Sequence, residues 1–315
     1  MNIKYTRTLA IVLAVFSMSF VDLKALFAIN LTTIQDYPEG SFSAEWTHVV
    51  FMHYSGILYY DARTGAAAVG ACDGAGNHTT VKSYPGGSFA AGWTHIIYVP
   101  LYPQGEVILY YNAQTGSAVV GKIDGAGDHR TIKSYPAGAF AAGWTHIVCS
   151  PEGGVLFFNA EIGAAVFGEF NGAGNFTAIK SYPAGSFSGE WTHLVSFLRL
   201  SGSMDILFYN TQAGAAAVVR FDGIGNTRTL KSYPAGSFAA GWTSIVNTQA
   251  GFLFYNAEIG AAVIGQIDGA GNFRAIQDYP GGSFSAGWTD IIDLNNGCIL
   301  FFNAPAGAAA VVRVS

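Results

Sequence analysis

Six copies of a Trp-Thr motif divide the sequence into units of nearly equal length. Every tryptophan of the chain belongs to this motif, and successive tryptophans are 47, 51, 47, 51 and 46 residues apart. They are Trp46, Trp93, Trp144, Trp191, Trp242 and Trp288. A regular period of this length is the signature of a repeat architecture, in which each unit buries its apolar face against its neighbours. The chain must therefore fold as an array of six similar units.

Each unit has the pattern of four short β-strands. In the third copy these strands are predicted at 144–148, 155–158, 164–170 and 177–182. The first alternates apolar and polar residues, as a half-buried strand does. Two of the connections are short and contain Gly with Asn, as hairpin turns require, whereas the link 183–190 is too long for a tight hairpin. We therefore expect this link to join one four-stranded sheet to the next.

The two ends of the array complement each other. The last copy stops after its third strand, at 308–314, and the first copy is preceded by an extra outer strand at 31–37. Pairing these two strands closes the ring and leaves no long sheet edge open. The sequence predicts an all-β domain over residues 29–315, a six-bladed β-propeller of four-stranded antiparallel blades closed by the N-terminal strand. An open solenoid is the alternative, but it requires capping repeats at its ends.

Residues 1–28 have the features of a secretory signal peptide. Lys4 and Arg7 precede an apolar run at 8–21, which is shorter than the roughly 20 residues that cross a bilayer as a helix. We expect this segment to be removed, the protein to be secreted and extracellular, and the mature chain to have no membrane span. An uncleaved membrane anchor is the alternative.

Composition and cysteine usage exclude several functions. Charged residues make up 11% of the chain, the formal net charge is −5 and no basic block occurs, so nucleic acid is not an expected partner. Cys72, Cys149 and Cys298 lie at unrelated points of the repeat, which argues against a disulfide framework, although a single pair remains open. No zinc-ligand spacing is present, and we predict no metal site and no cofactor.

Two repeated polar features resemble ion sites. The residue after Trp-Thr is His48, His95, His146, His193, Ser244 or Asp290 in successive copies. We expect these side chains to be half-buried and hydrogen-bonded within the protein, and not to be metal ligands. Loops such as Asp73-Gly-Ala-Gly-Asn77 lack the further carboxylates of calcium sites, so we interpret them as hairpin turns.

The candidate ligand-binding residues are repeated tyrosines and asparagines, which we place on the face built from the links and the Asn-containing turns. They are Tyr37, Tyr84, Tyr135, Tyr182, Tyr233, Tyr279, Asn112, Asn159, Asn210, Asn256 and Asn303. Such side chains combine flat apolar area with donors and acceptors that suit neutral, hydroxyl-rich ligands. Turn geometry is the alternative explanation for the asparagines. Six weak sites on one disc would bind a glycan surface through avidity.

One segment layout resembles a known family. Gly143-Trp144, an apolar strand, Ser150-Pro-Glu-Gly-Gly154 and Val155-Leu-Phe-Phe158 are similar to a blade of the tachylectin-2 type of propeller lectins. That family has five blades, whereas six repeats occur here. The resemblance implies a secreted, non-enzymatic sugar binder with one site per blade near the junction of adjacent sheets. It identifies no sugar-contacting residue of this chain.

These observations predict a multivalent, lectin-like propeller that is not an enzyme and whose partners are glycans or glycoconjugates. The alternative is an extracellular scaffold that binds a protein, for example through the long hairpins 98–106 and 196–205. A secreted enzyme is the third hypothesis. Its candidate residues Glu45, His48, Glu190 and Asp290 are scattered over copies one, four and six.

Overall fold

The computed structural model describes residues 29–101, 105–150, 153–199 and 203–315. Within these residues the chain forms twenty-four β-strands and no helix. The predicted signal peptide, 1–28, lies outside these residues. Within them, no helix long and apolar enough to cross a membrane occurs.

The strands form six antiparallel sheets of four strands each, which we number as blades 1 to 6. The innermost strands of blades 1 to 6 are β2 (His48–Met52), β6 (His95–Pro100), β10 (His146–Cys149), β14 (His193–Arg199), β18 (Ser244–Thr248) and β22 (Asp290–Asp293). The second strands are β3 (Gly56–Asp61), β7 (Glu106–Asn112), β11 (Gly154–Asn159), β15 (Ser203–Asn210), β19 (Gly251–Asn256) and β23 (Cys298–Asn303). The third strands are β4 (Ala66–Cys72), β8 (Ser117–Ile123), β12 (Ala164–Phe170), β16 (Ala215–Phe221), β20 (Ala261–Ile267) and β24 (Ala308–Val314). The outermost strands are β5 (His78–Tyr84), β9 (His129–Tyr135), β13 (Phe176–Tyr182), β17 (Thr227–Tyr233), β21 (Phe273–Tyr279) and, in blade 6, β1 (Leu31–Tyr37).

The ring closes as the sequence predicts. Strand β1 pairs with β24 from Leu31 opposite Val314 to Tyr37 opposite Ala309. The backbones of Asn30 and Ser315 exchange two hydrogen bonds, of 2.8 and 3.0 Å. The innermost strands β2 and β22 lie side by side, so blade 6 is next to blade 1. The all-β, six-bladed propeller is confirmed.

Aromatic side chains fill the layers between blades. The second strands contribute rings that are fully buried, including Tyr60, Tyr111, Phe158 and Tyr209. Each tryptophan of the repeat packs on an aromatic ring of its own second strand, as Trp93 does on Tyr110 with ring centroids 6.2 Å apart. Because an aromatic side chain buries roughly 150–250 Å², this arrangement gives the tryptophans a structural role.

Glu190 is strained by the backbone of its link. Its φ is 67°, in the left-handed region, where the equivalent residues of blades 2, 3, 5 and 6 are glycines with φ of 83° to 86°. We expect Glu190→Gly to raise the free energy of unfolding by about 1 kcal/mol, because Gly adopts this conformation without steric cost. Urea denaturation measures the change. The matched control is Glu45→Gly in blade 1, where φ is not positive, and it should lower stability. A lower stability for Glu190→Gly would contradict the prediction.

Candidate functional site

The predicted tyrosines connect neighbouring blades through their hydroxyl groups. Tyr37 Oη donates to the carbonyl of Gly76 in the next blade at 2.8 Å and accepts from the amide of His78 at 2.6 Å. Five other tyrosine hydroxyls also donate a hydrogen bond to a backbone carbonyl of the next blade. They belong to Tyr84, Tyr135, Tyr182, Tyr233 and Tyr279. Five of the six hydroxyls therefore hold an outer strand against a turn of the following blade, and that of Tyr279 holds blade 5 against the segment before β1. That these tyrosines contact a ligand stays a prediction.

The predicted asparagines hold their own turns. Asn159 Oδ1 accepts from the amides of Glu161 and Ile162 at 2.9 and 3.1 Å, and its Nδ2 donates to the carbonyl of Gly143 at 2.8 Å. Asn112 and Asn210 make the same three kinds of bond. The Oδ1 atoms of Asn256 and Asn303 also accept amides of their turns. Turn geometry thus accounts for these residues, and ligand contact stays a prediction for them too.

A ring of polar side chains surrounds the central axis at the start of the innermost strands. In blades 1 to 4 the ring consists of histidines whose Nε2 atoms bond the carbonyl of a threonine in the next blade at 3.1 Å; they are His48, His95, His146 and His193. Each Nδ1 lies 2.8 to 2.9 Å from the hydroxyl of the preceding threonine. Because a carbonyl only accepts, these contacts assign the proton of the neutral imidazole to Nε2.

Burial keeps three of these imidazoles uncharged. It lowers the pKa of His95, His146 and His193 below the ordinary value, against the opposing effect of the bond to the threonine carbonyl. These side chains are therefore neutral at neutral pH and present a polar, uncharged lining.

Blades 5 and 6 break the symmetry of this ring. Ser244 and Asp290 stand there in place of histidine, and within the described ranges no side-chain hydrogen bond joins either of them to the next blade. Burial raises the pKa of the Asp290 carboxyl, while the Thr289 hydroxyl, which donates to Oδ2 at 2.8 Å, and the electrostatic effect of the neighbouring His48 oppose that rise. The ring therefore contains one carboxylate, next to His48 across the blade 6 to blade 1 junction.

This geometry corrects the prediction that the acid and base candidates are scattered. Copies one and six are distant in sequence, but ring closure makes them neighbours and brings Asp290 beside His48. The two other candidates do not join them. Glu45 is exposed and lies 3.9 Å from Arg63, and Glu190 is exposed on the link before Trp191.

The residues described in the structure include no group of three or more His, Cys, Asp or Glu side chains that could hold a metal ion. In the loop 73–77, Asp73 Oδ1 accepts the amides of Ala75 and Asn77 at 2.8 Å, and Oδ2 accepts the Asn77 side chain at 2.9 Å. Both carboxylate oxygens of Asp73 thus accept hydrogen bonds within their own turn. The three cysteines are free, with Cys298 buried and Cys72 and Cys149 half-buried.

Comparison with known proteins finds similarity at the level of structure. No protein-family model and no curated protein sequence matches the chain. A structure described as the Pseudomonas aeruginosa periplasmic gluconolactonase PpgL is 15% identical, covers 81% of this chain and 77% of its own, and has a TM-score of 0.52. A functionally unknown protein from Desulfotomaculum acetoxidans is 9% identical, with coverages of 82% and 79% and a TM-score of 0.52. A protein of unknown function from Bacteroides thetaiotaomicron is 13% identical, with coverages of 91% and 76% and a TM-score of 0.51. At these identities the similarity shows the shared fold alone.

The lectin prediction and the prediction that the chain is not an enzyme are corrected by this comparison. Of these three structures, the one with a named activity is a gluconolactonase, and none is described as a tachylectin-2 lectin. The lectin prediction was wrong because it took the sixfold repetition of Tyr and Asn as evidence for six ligand sites. In the structure, the repeated tyrosines join neighbouring blades, the asparagines hold their own turns and the tryptophans pack on the second strands.

Proposed function

We propose that the protein is a hydrolase that opens a sugar lactone at the mouth of the central channel, with Asp290 as the general base. The observation that carries the proposal is a single carboxylate, with its pKa raised by burial, in a ring that also contains three imidazoles kept uncharged by burial. The propeller fold shared with a structure described as a gluconolactonase supports this choice of substrate class.

The chemistry requires a water molecule and the carboxylate. Asp290 takes a proton from water, the resulting hydroxide attacks the lactone carbonyl, the ring C–O bond breaks, and the proton passes to the leaving oxygen to give the open hydroxy acid. A general base is most effective when its pKa lies near the working pH, and burial moves the pKa of Asp290 in that direction. Ser244 in the adjacent blade is smaller than the histidines of blades 1 to 4, so the ring is less filled on the side of Asp290.

Asp290→Asn is expected to lower kcat for glucono-δ-lactone by about 10²- to 10⁴-fold, the usual contribution of a positioned base. A pH-stat assay of residues 29–315, corrected for spontaneous hydrolysis, measures the rate. The matched control is Asp293→Asn on the same strand, whose carboxyl also has a pKa raised by burial but lies outside the ring, and it should keep the rate. A wild-type rate equal to spontaneous hydrolysis would refute the function, and full activity of Asp290→Asn would refute the role of the base.

The proposed partner is thus a small sugar lactone, and the proposed location is outside the cytoplasm. The signal-like segment 1–28 and the periplasmic location named for PpgL support that location. Fractionation of cells that express the full chain tests it: we expect the mature protein in the periplasmic or extracellular fraction, with its N-terminus near Ile29.

A further inference from the structure

In four blades, an aromatic ring of the outermost strand fills the space beneath the link that leads into that blade. The ring belongs to the first residue of the outermost strand and packs on the phenylalanine of the link. The pairs are His78 with Phe42, His129 with Phe89, Phe176 with Phe140 and Phe273 with Phe238, and their centroids lie 4.9, 4.6, 5.4 and 4.9 Å apart. A ring at this position is thus a repeated element of the core.

A glycine on the third strand makes room for each of these rings. The glycines are Gly70, Gly121, Gly168 and Gly265, and a Cβ added at any of them would lie 2.2 to 2.5 Å from the nearest ring atom. Real Cβ atoms do not approach other atoms so closely, because steric repulsion rises steeply below van der Waals contact. Ring and glycine therefore occur as a matched pair.

Blade 4 lacks both members of the pair. It has Thr227 at the ring position and Val219 at the glycine position, as the strand pairing of β16 with β17 shows. Thr227 is exposed. Blade 6 also lacks the pair, but there Leu31 and Val312 pack in a common apolar cluster.

A cavity of about 440 Å³ lies on the face of blade 4 beneath the link. Its lining includes Phe187, Phe208 and Val219, which are equivalent to the residues Phe42, Tyr59 and Gly70 that surround the His78 ring in blade 1. Phe221 replaces the missing ring only in part, since its centroid is 6.0 Å from that of Phe187. The cavity therefore offers the surfaces that hold an aromatic ring in other blades.

We propose that this cavity binds a neutral, single-ring aryl compound with a hydroxyl group, that is, a phenol. The aromatic rings of the other blades indicate that such a ring suits this position. The polar residues Ser186, Ser188, Thr229 and Ser232 are part of the cavity lining and would supply partners for a polar substituent. Trp191 also lines it, so its fluorescence reports on occupancy. The volume accommodates a ring with a short substituent. This site is separate from the channel mouth and independent of the lactonase proposal.

Phenol is the probe for the test, by isothermal titration calorimetry and by quenching of tryptophan fluorescence on residues 29–315. For a ligand of this size we expect saturable binding of one equivalent, with a Kd of roughly 0.1–5 mM. Val219→Gly combined with Thr227→Phe recreates the ring and glycine of blade 5 and should weaken binding at least about tenfold. Ala217→Leu, which fills the cavity from the third strand, should do the same and serves if the double variant does not fold.

The matched control is the same exchange in blade 6, Val312→Gly combined with Leu31→Phe, which should leave the affinity for phenol unchanged. Absence of saturation at about 20 mM phenol in the wild type would overturn the proposal, since a site with a Kd of at most about 5 mM would be mostly occupied at that concentration. Equal affinity in a folded cavity-filling variant would place the phenol elsewhere and overturn it as well.

Discussion

Removing the N-terminal strand is expected to abolish the native fold. A chain that starts at Pro38 lacks β1, whose seven residues supply the fourth strand of blade 6. It also loses the bond from the Tyr37 hydroxyl to Gly76 in blade 1. The deletion exposes the edge of β24 and the apolar layer between blades 6 and 1. We expect a cost of at least about 5 kcal/mol, which is as large as the whole stability of many domains.

Thermal unfolding followed by circular dichroism, with size-exclusion chromatography, measures the effect. The deleted chain should show no cooperative transition and should self-associate through its open sheet edge. The control is a circular permutant in which residues 29–37 follow Ser315 through a short Gly-containing turn and the chain begins at Pro38. Because the backbones of Asn30 and Ser315 are already hydrogen-bonded to each other, this permutant should unfold cooperatively near the unfolding temperature of the wild type. A cooperative, monomeric deletion variant would show that the ring does not depend on this closure.

The fold was predictable because its signals are local and repeated. The Trp-Thr period, the alternating strands and the Gly-containing turns each recur six times, and the complementary ends determine how the ring closes. The hydrogen-bond partners of Tyr37 and its equivalents were not predictable, because they lie in a different blade 38 or more residues away. A tyrosine on a predicted surface and a tyrosine that bridges two sheets have the same local sequence.

The candidate sites lie where the repeat is broken. Asp290 stands at a position that is histidine in four copies, and Val219 with Thr227 replaces a glycine and a ring. The first departure is visible in the sequence once the copies are aligned. Its functional meaning is not visible in the sequence, because the proximity of Asp290 and His48 arises from ring closure and the raised pKa of Asp290 arises from burial. Mutations that test function should therefore begin at the positions that depart from the repeat.

Arg220→Met is expected to lower the free energy of unfolding by about 3–5 kcal/mol. The Asp205 side chain is fully buried, and Arg220 Nε and Nη2 donate to its two oxygens at 2.7 and 2.8 Å. Without the guanidinium, a buried carboxylate loses two hydrogen bonds and a positive charge that help to offset its desolvation. Urea denaturation at neutral pH measures the loss, and the linear dependence on denaturant gives its size.

The control separates the loss of the ion pair with Arg220 from the loss of packing. Val107 occupies the place of Asp205 in blade 2 and is fully buried, so an apolar side chain is compatible with this position in the blade. Asp205→Val combined with Arg220→Met should therefore lie within about 1–2 kcal/mol of the wild type, because apolar replacement of a buried pair is often nearly neutral. If the double variant were as unstable as Arg220→Met, the ion pair would contribute through packing and not through charge compensation. If both variants were as stable as the wild type, the pair would have no part in the stability of blade 4.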